Sequence, residues 1–304
     1  MITLLAIAFA GLIAQLVDGS LGMGYGVTST SLLLSLGLAP ALASASVHLA
    51  EIGTTAASGL SHWRLGNVDT RSLLLIGIPG GVGGFLGAVI LANLSLDAAR
   101  PMVSLVLLVL GAVIIGRFIH RRRTAGRGAA DAPAVAGERR HGWMLIPLGL
   151  IGGFLDASGG GGWGPVTTSS LMAAARMKPR TVIGTVSGSE FIVSVAASAG
   201  FLLTLGSAGI DFGIVAMLLG GGLIAAPIAA WLVGKFDEQA LATGVGGLVI
   251  FLNLDRVLVL FGLDPSAGFG LRLAVAALSI VLVGWLLLRS RARRSIVARG
   301  TPAA

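Results

Sequence analysis

Residues 18–33 read DGSLGMGYGVTSTSLL, and residues 156–171 read DASGGGGWGPVTTSSL. At a constant offset of 138, Asp18 maps onto Asp156, Ser20 onto Ser158, Tyr25 onto Trp163, and Thr30 and Ser31 onto Thr168 and Ser169. Gly22, Gly24 and Gly26 map onto Gly160, Gly162 and Gly164. One unit is therefore written twice. Each copy interrupts an apolar stretch with glycines and hydroxyl residues. In a lipid environment, backbone that leaves the helix is tolerated only where protein buries it or where it lines a watery cavity. The two interruptions thus fix two places around which any fold of this chain must be built.

The surrounding sequence makes lipid the solvent. Of 304 residues, 55% are hydrophobic and 11% charged, and several apolar runs approach the ~20 residues that span a bilayer as helix. No large soluble domain fits, because the long polar stretch is confined to 117–141. There is no cysteine, which rules out disulfides, thiolate chemistry and cysteine-held haem or iron–sulfur groups. The net charge of +8 is no nucleic-acid footprint. Seven arginines fall in 117–140 and five in 289–299, both beside apolar spans, as the positive-inside rule expects of cytoplasmic ends. The N-terminal run resembles a signal peptide at Ala8-Phe9-Ala10 but has no basic start. Gly11-Leu12-Ile13 recurs as Gly149-Leu150-Ile151, so residues 1–17 read as mature structure.

The expected fold is all-α, a polytopic transmembrane bundle with two inverted repeats, each opening with a glycine-broken helical hairpin. Residues 1–119 form the first repeat and 120–142 a cytoplasmic basic linker. Residues 143–262 form the second repeat, and 263–304 an extra transmembrane helix with a basic cytoplasmic tail. Within the first repeat, spans are expected over about 41–61, 72–94 and 101–119; within the second, over 181–205, 212–234 and 239–262. The extra span covers about 269–288. If each broken segment returns to its own side, both arginine clusters become cytoplasmic and the N-terminus lies outside. Arg64, Arg71, Arg176, Lys178, Arg180 and Lys235 then fall inside and Asp264 outside, and only Arg100 opposes the assignment. The halves have opposite orientation, the plan of many secondary transporters.

Three sets of residues could carry chemistry. Gly22, Gly24 and Gly26, with Gly160, Gly162 and Gly164, let backbone approach backbone or ligand without a Cβ. The helices restarting at Val27 and Val166 offer free N–H groups. Thr30, Ser31, Thr168 and Ser169 add hydroxyls, so two helix starts facing each other would suit an anion. The competing reading is that the glycines only pack two hairpins together. Glu51 and Glu190 form the second set, near the middle of matching spans. An ionisable group at membrane depth is a functional candidate by default, and these two are expected to carry coupling protons or to serve as structural carboxyls. Asp18 and Asp156 read as helix caps. His48, three residues before Glu51 on the same face, has Ser187 as its counterpart. It is expected in a proton relay or a structural role, with a metal set of His48, Glu51 and Asp18 the weaker option for want of a second spaced histidine. His62, Trp63 and Arg64 read as an interfacial anchor. No P-loop, HExxH or cysteine nucleophile is present, so no enzyme, nucleotide-driven pump or resident cofactor is expected.

Together these residues resemble the sulfite exporter TauE/SafE family over most of 1–262. The resemblance rests on two repeats, each entering a G-x-G-x-G break, and on a histidine followed by a G-x-V-D loop, here His62 and Gly66-Asn67-Val68-Asp69. The second loop departs, reading Gly206-Ser207-Ala208-Gly209-Ile210-Asp211. The resemblance implies secondary transport of small inorganic or organic sulfur anions, such as sulfite or organosulfonates, with export the expected direction. The expected setting is multi-pass in a bacterial-type inner membrane, with a homodimer left open and no nucleic-acid partner. An uncoupled channel or membrane scaffold is the alternative.

Overall fold

The computed structural model describes residues 2–21, 23–125, 142–174, 177, 179–232, 238–262 and 265–300. Gly22, Arg176, Lys178, Lys235, Asp264 and most of the basic linker (126–141) lie outside the described residues. Every regular element among the described residues is helical. The chain runs through α1 (Ile2–Leu21), a break at Met23-Gly24, α2 (Tyr25–Ser35), α3 (Pro40–Arg64), α4 (Thr70–Asn93) and α5 (Leu96–Ala125). It continues through α6 (Gly142–Gly159), a break at 160–162, a π-helical turn (Gly164–Thr168), α7 (Ser169–Ala174) and α8 (Pro179–Leu205). A short 3-10 turn (Ser207–Gly209) leads to α9 (Phe212–Leu232), α10 (Glu238–Leu260) and α11 (Pro265–Gly300).

The helix ends follow local chemistry. Pro40 opens α3, where its missing N–H costs nothing. Asp69 caps α4 by accepting from the Ser72 N–H at 3.1 Å. The fourth span extends beyond 119, because α5 stays helical to Ala125 and takes in the start of the expected linker. Its terminal arginines are good helix formers and suit a helix C-terminus.

Among the described residues, five helices are long and apolar enough to cross a membrane: Thr70–Asn93, Leu96–Arg117, Arg180–Leu205, Gln239–Leu260 and Gly268–Arg289. Leu4–Asp18, Trp143–Gly159 and Phe212–Ala226 are shorter apolar helices. α3 is 25 residues long, roughly 37 Å at the helical rise, but it carries too many polar residues to read as a lipid-facing span. Ser44, Ser46, His48, Glu51, Thr54 and Thr55 are all buried. The part of α3 from Ala43 to Thr55 is thus a polar helix segment largely enclosed by protein.

Packing crosses the two halves. α1 lies against α9, and α6 against α4; α3 pairs with α8, and α5 with α10. Exchanging each helix for its partner at the repeat offset converts the first contact into the second and leaves the last two unchanged. Glycines bring the backbones together. A Cβ on Gly221 would run into the Ala8 carbonyl, and one on Gly83 into the Leu150 carbonyl. α11 packs on α10, and its most apolar stretch has no fully buried residue. Arg272 of α11 pairs with Asp255 and lies 4.5 Å above the Phe251 ring.

Two neighbouring glycines separate packing from propensity. A Cβ at Gly220 meets nothing within 4 Å, whereas at Gly221 it meets the α1 backbone. Gly221→Ala should therefore destabilise the protein by about 1–3 kcal/mol, while Gly220→Ala should leave it unchanged or stabilise it by up to about 1 kcal/mol. Thermal midpoints of the two purified variants provide the check, and equal midpoints would contradict the close α1–α9 contact.

Candidate functional site

The two breaks meet. A Cβ on Gly26 would lie 2.7 Å from Gly161 Cα, and one on Gly161 would strike the Val27 N and Gly26 C atoms. A Cβ on Gly160 would strike the Thr30 side chain. Backbone shape also demands glycine here, since φ is +120° at Gly24, +77° at Gly160 and +138° at Gly161. The start of α2 therefore rests directly on the loop between α6 and the π-helical turn.

The second break is held by the aspartate that precedes it. Asp156 Oδ1 accepts from the Gly162 N–H at 2.6 Å and the Trp163 N–H at 2.9 Å. Asp18 stands at the equivalent place before α2, with the Tyr25 amide as its nearest backbone neighbour in charge. The capping role read from the sequence is thus what Asp156 performs. The paired aromatics anchor the breaks outward. The Tyr25 hydroxyl donates to Leu218 O at 3.2 Å, and Trp163 Nε1 donates to Val186 O at 3.2 Å.

Asp156 does more than cap. Its Oδ2 lies 3.2 Å from His48 Nε2, and both side chains are buried. His48 Nδ1 lies 2.8 Å from Ser44 O. A carbonyl only accepts, so Nδ1 carries a proton and Nε2 is the nitrogen turned to Asp156. The Ser44 hydroxyl donates to Ala157 O at 2.8 Å, which ties the same turn of α3 to the end of α6. Glu51 is buried one turn further on. A Cβ on Gly26 would stand 3.2 Å from its Oε1, and its Oε2 has no hydrogen-bond partner. The Ser194 hydroxyl flanks this carboxyl outside hydrogen-bond geometry. Glu190, on α8, is an electrostatic neighbour of Glu51, Asp18 and Asp156.

One ligand atom from each of His48, Glu51 and Asp156 fits within 4.8 Å, so these three, rather than a set with Asp18, could close round a metal ion. The hydrogen bond between His48 and Asp156 occupies one edge of that triangle and favours a proton there.

The hydroxyl residues divide into two groups. Thr28, Ser29 and Thr30 are buried with hydroxyls that have no hydrogen-bond partner, as do Ser194 and Ser198 of α8. Ser31 Oγ accepts from Asn253 Nδ2 at 2.9 Å, and Ser169 Oγ from Arg117 Nη1 at 3.4 Å. Thr168 is fully buried. The two helix starts differ at one amide: Val27 carries an N–H where Pro165 has none, while the Thr28 N–H donates to Gly24 O at 3.1 Å and the matching Val166 N–H to Gly162 O at 2.9 Å. Arg256 Nη2 reaches Leu34 O at 2.8 Å, at the end of α2. The sequence reading missed Asn253, Arg117 and Arg256 as contacts to the break helices. Asn253 gave a signal, a polar amide inside the apolar run of α10, and Arg117 and Arg256 stand at an offset of 139.

The family described as Sulfite exporter TauE/SafE matches residues 7–255, which include both breaks and every residue of the buried acid cluster. The chain belongs to the sulfite exporter TauE/SafE family. A Bacillus subtilis (strain 168) member named "Probable membrane transporter protein YtnM" is 52% identical over 250 residues, covering 82% of this chain and 81% of that protein. No solved structure gives a significant match. Family and relative both indicate a membrane transporter rather than an enzyme. In this TauE/SafE protein the glycine breaks, the buried carboxyls and His48 converge in one region between the two halves.

Proposed function

We propose that this TauE/SafE protein is a proton-coupled secondary transporter that exports small sulfur-containing anions, such as sulfite or organosulfonates. The observation that carries the reading is the buried junction of the two breaks. Helix starts, unpartnered hydroxyls and an unpartnered Glu51 oxygen meet there. Buried polar groups are costly without partners, and a small oxyanion with several acceptors would satisfy them. Gly24, Gly26, Thr30 and Ser31 line the substrate path from the first half, and Gly160, Gly162, Gly164, Thr168 and Ser169 from the second; Gly22, outside the described residues, is assigned to the same path by the repeat alone. Thr28 and Ser29 join them on the strength of their free hydroxyls.

An anion cannot sit beside ionised carboxylates without repulsion. Glu51, Glu190 and His48 therefore carry the coupling protons, with the carboxyls neutral when the anion is bound. The exchange pattern of helix contacts supports two inverted repeats, each opening with a glycine-broken hairpin. Alternating access would then be a rocking of these halves about the junction. In a bacterial-type inner membrane the N-terminus lies outside and the two arginine clusters face the cytoplasm. Reporter fusions at residue 130 and at the C-terminus should both report the cytoplasmic side, and opposite readings would contradict the arrangement.

The functional test is a stabilisation panel on purified protein with sulfite, thiosulfate, taurine and acetate. A bound anion at 100 times its Kd adds about 2.7 kcal/mol to stability. Sulfur oxyanions should raise the thermal midpoint and acetate should not. A panel in which no sulfur anion does so would overturn the substrate class.

A further inference from the structure

Arg117 ends the apolar span Leu96–Arg117 of α5. An arginine at such a place ordinarily turns its guanidinium outward to water and headgroups. Arg117 turns inward instead. Its Nη1 donates to Met23 Sδ at 3.2 Å and to Ser169 Oγ at 3.4 Å. Met23 is a buried residue of the first break, and Ser169 opens α7 behind the second. One cation from α5 therefore touches both broken segments. A thioether is a weak acceptor, and 3.4 Å is long for a bond to a hydroxyl. Both are poorer partners for a guanidinium than an oxyanion is. The other half is built differently. Ser31, the counterpart of Ser169, accepts from the neutral amide of Asn253 at 2.9 Å. Arg256, at an offset of 139 from Arg117, donates to the Leu252 carbonyl at 2.9 Å and to the Leu34 carbonyl at 2.8 Å, near the far end of α2. Among the described contacts, the matching hydroxyls of the two break helices thus meet a full positive charge on the α5 side and a neutral amide on the α10 side.

We propose that Arg117 binds the transported anion directly, as the fixed positive charge of the site on the side where α5 ends. The inference rests on the sulfur-anion reading above and adds the counter-charge that reading requires. The ionisable groups gathered round Glu190 are acids: Glu51, Asp18 and Asp156. Neutral carboxyls stop repelling an anion but do not attract one. The helix starts and the hydroxyls of Thr28, Ser29 and Thr30 supply only partial charges. An ion leaving water needs an opposite full charge together with hydrogen bonds to offset its desolvation. A guanidinium supplies both, and its planar fork matches two oxygens of a sulfite or sulfonate group. The anion takes the place of Met23 Sδ and Ser169 Oγ as acceptor, and the Ser169 hydroxyl donates to a further anion oxygen. With the arginine clusters cytoplasmic, Arg117 is the charge an anion meets on leaving the cytoplasm, which suits export. Arg256 holds the end of α2 and takes no part in binding.

Calorimetric titration of sulfite into the purified full chain in lipid nanodiscs reads this contact. Arg117→Gln keeps a donor for Ser169 but removes the charge, so the dissociation constant should rise roughly 30-fold or more, the scale of a lost charge-assisted hydrogen bond. Arg117→Lys keeps the charge without the fork and should fall between, with a rise of about tenfold. Arg256→Gln removes an equal charge at the repeat-related place. Its thermal midpoint should drop, while its dissociation constant stays within about twofold of wild type. Size-exclusion profiles and midpoints without anion show which variants are folded. Wild-type affinity in a folded Arg117→Gln protein, or in Arg117→Lys where the glutamine variant does not fold, overturns the proposal. An equal loss of affinity in Arg256→Gln overturns it too, because the effect then belongs to packing or to overall charge. Either result leaves the sulfur-anion reading standing. Wild-type protein that binds neither sulfite, thiosulfate nor taurine sinks that reading and this inference with it.

Discussion

Gly26→Val and Gly161→Val proteins should insert into the membrane and fail to transport, with anion flux down by about 100-fold or more. The break junction is built from backbone on backbone. At Gly26 the nearest obstacle to a side chain is Gly161 Cα at 2.7 Å, and at Gly161 it is the backbone of Gly26 and Val27. Neither obstacle is a flexible side chain that could swing away, so the two halves must separate. Displacing a site by about 1 Å can cost 100-fold in rate. Membrane insertion depends on the apolar helices, which these changes leave alone. Strain alone does not explain the expected loss, and Gly37 provides the control. It also has a positive φ, +94°, but a Cβ there meets nothing within 4 Å. Gly37→Ala should cost stability on the order of 1 kcal/mol and keep its flux. Normal flux in the Gly26 and Gly161 variants, measured beside membrane fractionation and size-exclusion profiles, would move the substrate path away from the junction.

Glu51→Gln should separate binding from coupling. The amide has nearly the shape of the carboxyl and fills the same space beside Gly26, so packing of the junction is kept. It cannot take up or release a proton. Anion exchange at equal pH on both sides should survive within a few-fold. Accumulation driven by a pH gradient should fall by about 100-fold, the scale expected when one required proton carrier is lost. The pair of assays matters, because a merely structural Glu51 predicts near-normal values in both. A loss in both assays together would instead assign Glu51 to anion binding or folding. Glu190→Gln should behave in the same direction, since that carboxyl shares the electrostatic neighbourhood of Glu51.

The helices were legible because apolar length and glycine punctuation are local signals. Expected spans at 72–94, 181–205 and 212–234 lie within a few residues of α4, α8 and α9. The cap role of Asp156 was legible too, since it precedes a restarting helix by the spacing the repeat shows. The bond between His48 and Asp156 was not. It joins residues 108 positions apart on helices from opposite halves, and no periodicity within one helix encodes which helix of the other half it will meet. The sequence set His48 beside Asp18, its neighbour in the first half. The crossed packing of α6 against α4 and α1 against α9 brings Asp156 there instead. The polar tethers of Asn253 to Ser31 and Arg117 to Ser169 were hidden for the same reason.

The two helix starts differ on a local point. The sequence already showed Pro165 after Gly164, a residue without an N–H, and Asp156 positioned to claim the amides before it. The hydroxyls of Thr28, Ser29 and Thr30 are the stronger donors of the two halves by this count. An anion at the junction would therefore sit closer to α2 than to α7.

The central claim is that an anion is moved by coupling to protons rather than let through a pore. Wild-type protein in sealed liposomes, given [35S]sulfite at equal concentration on both sides and then a pH gradient, tests it most directly. Coupled transport predicts net accumulation of the label against its own gradient, collapsing when a protonophore removes the pH difference. Label that stays at equal concentration on both sides throughout, in protein that still exchanges sulfite, would contradict coupling and leave a channel.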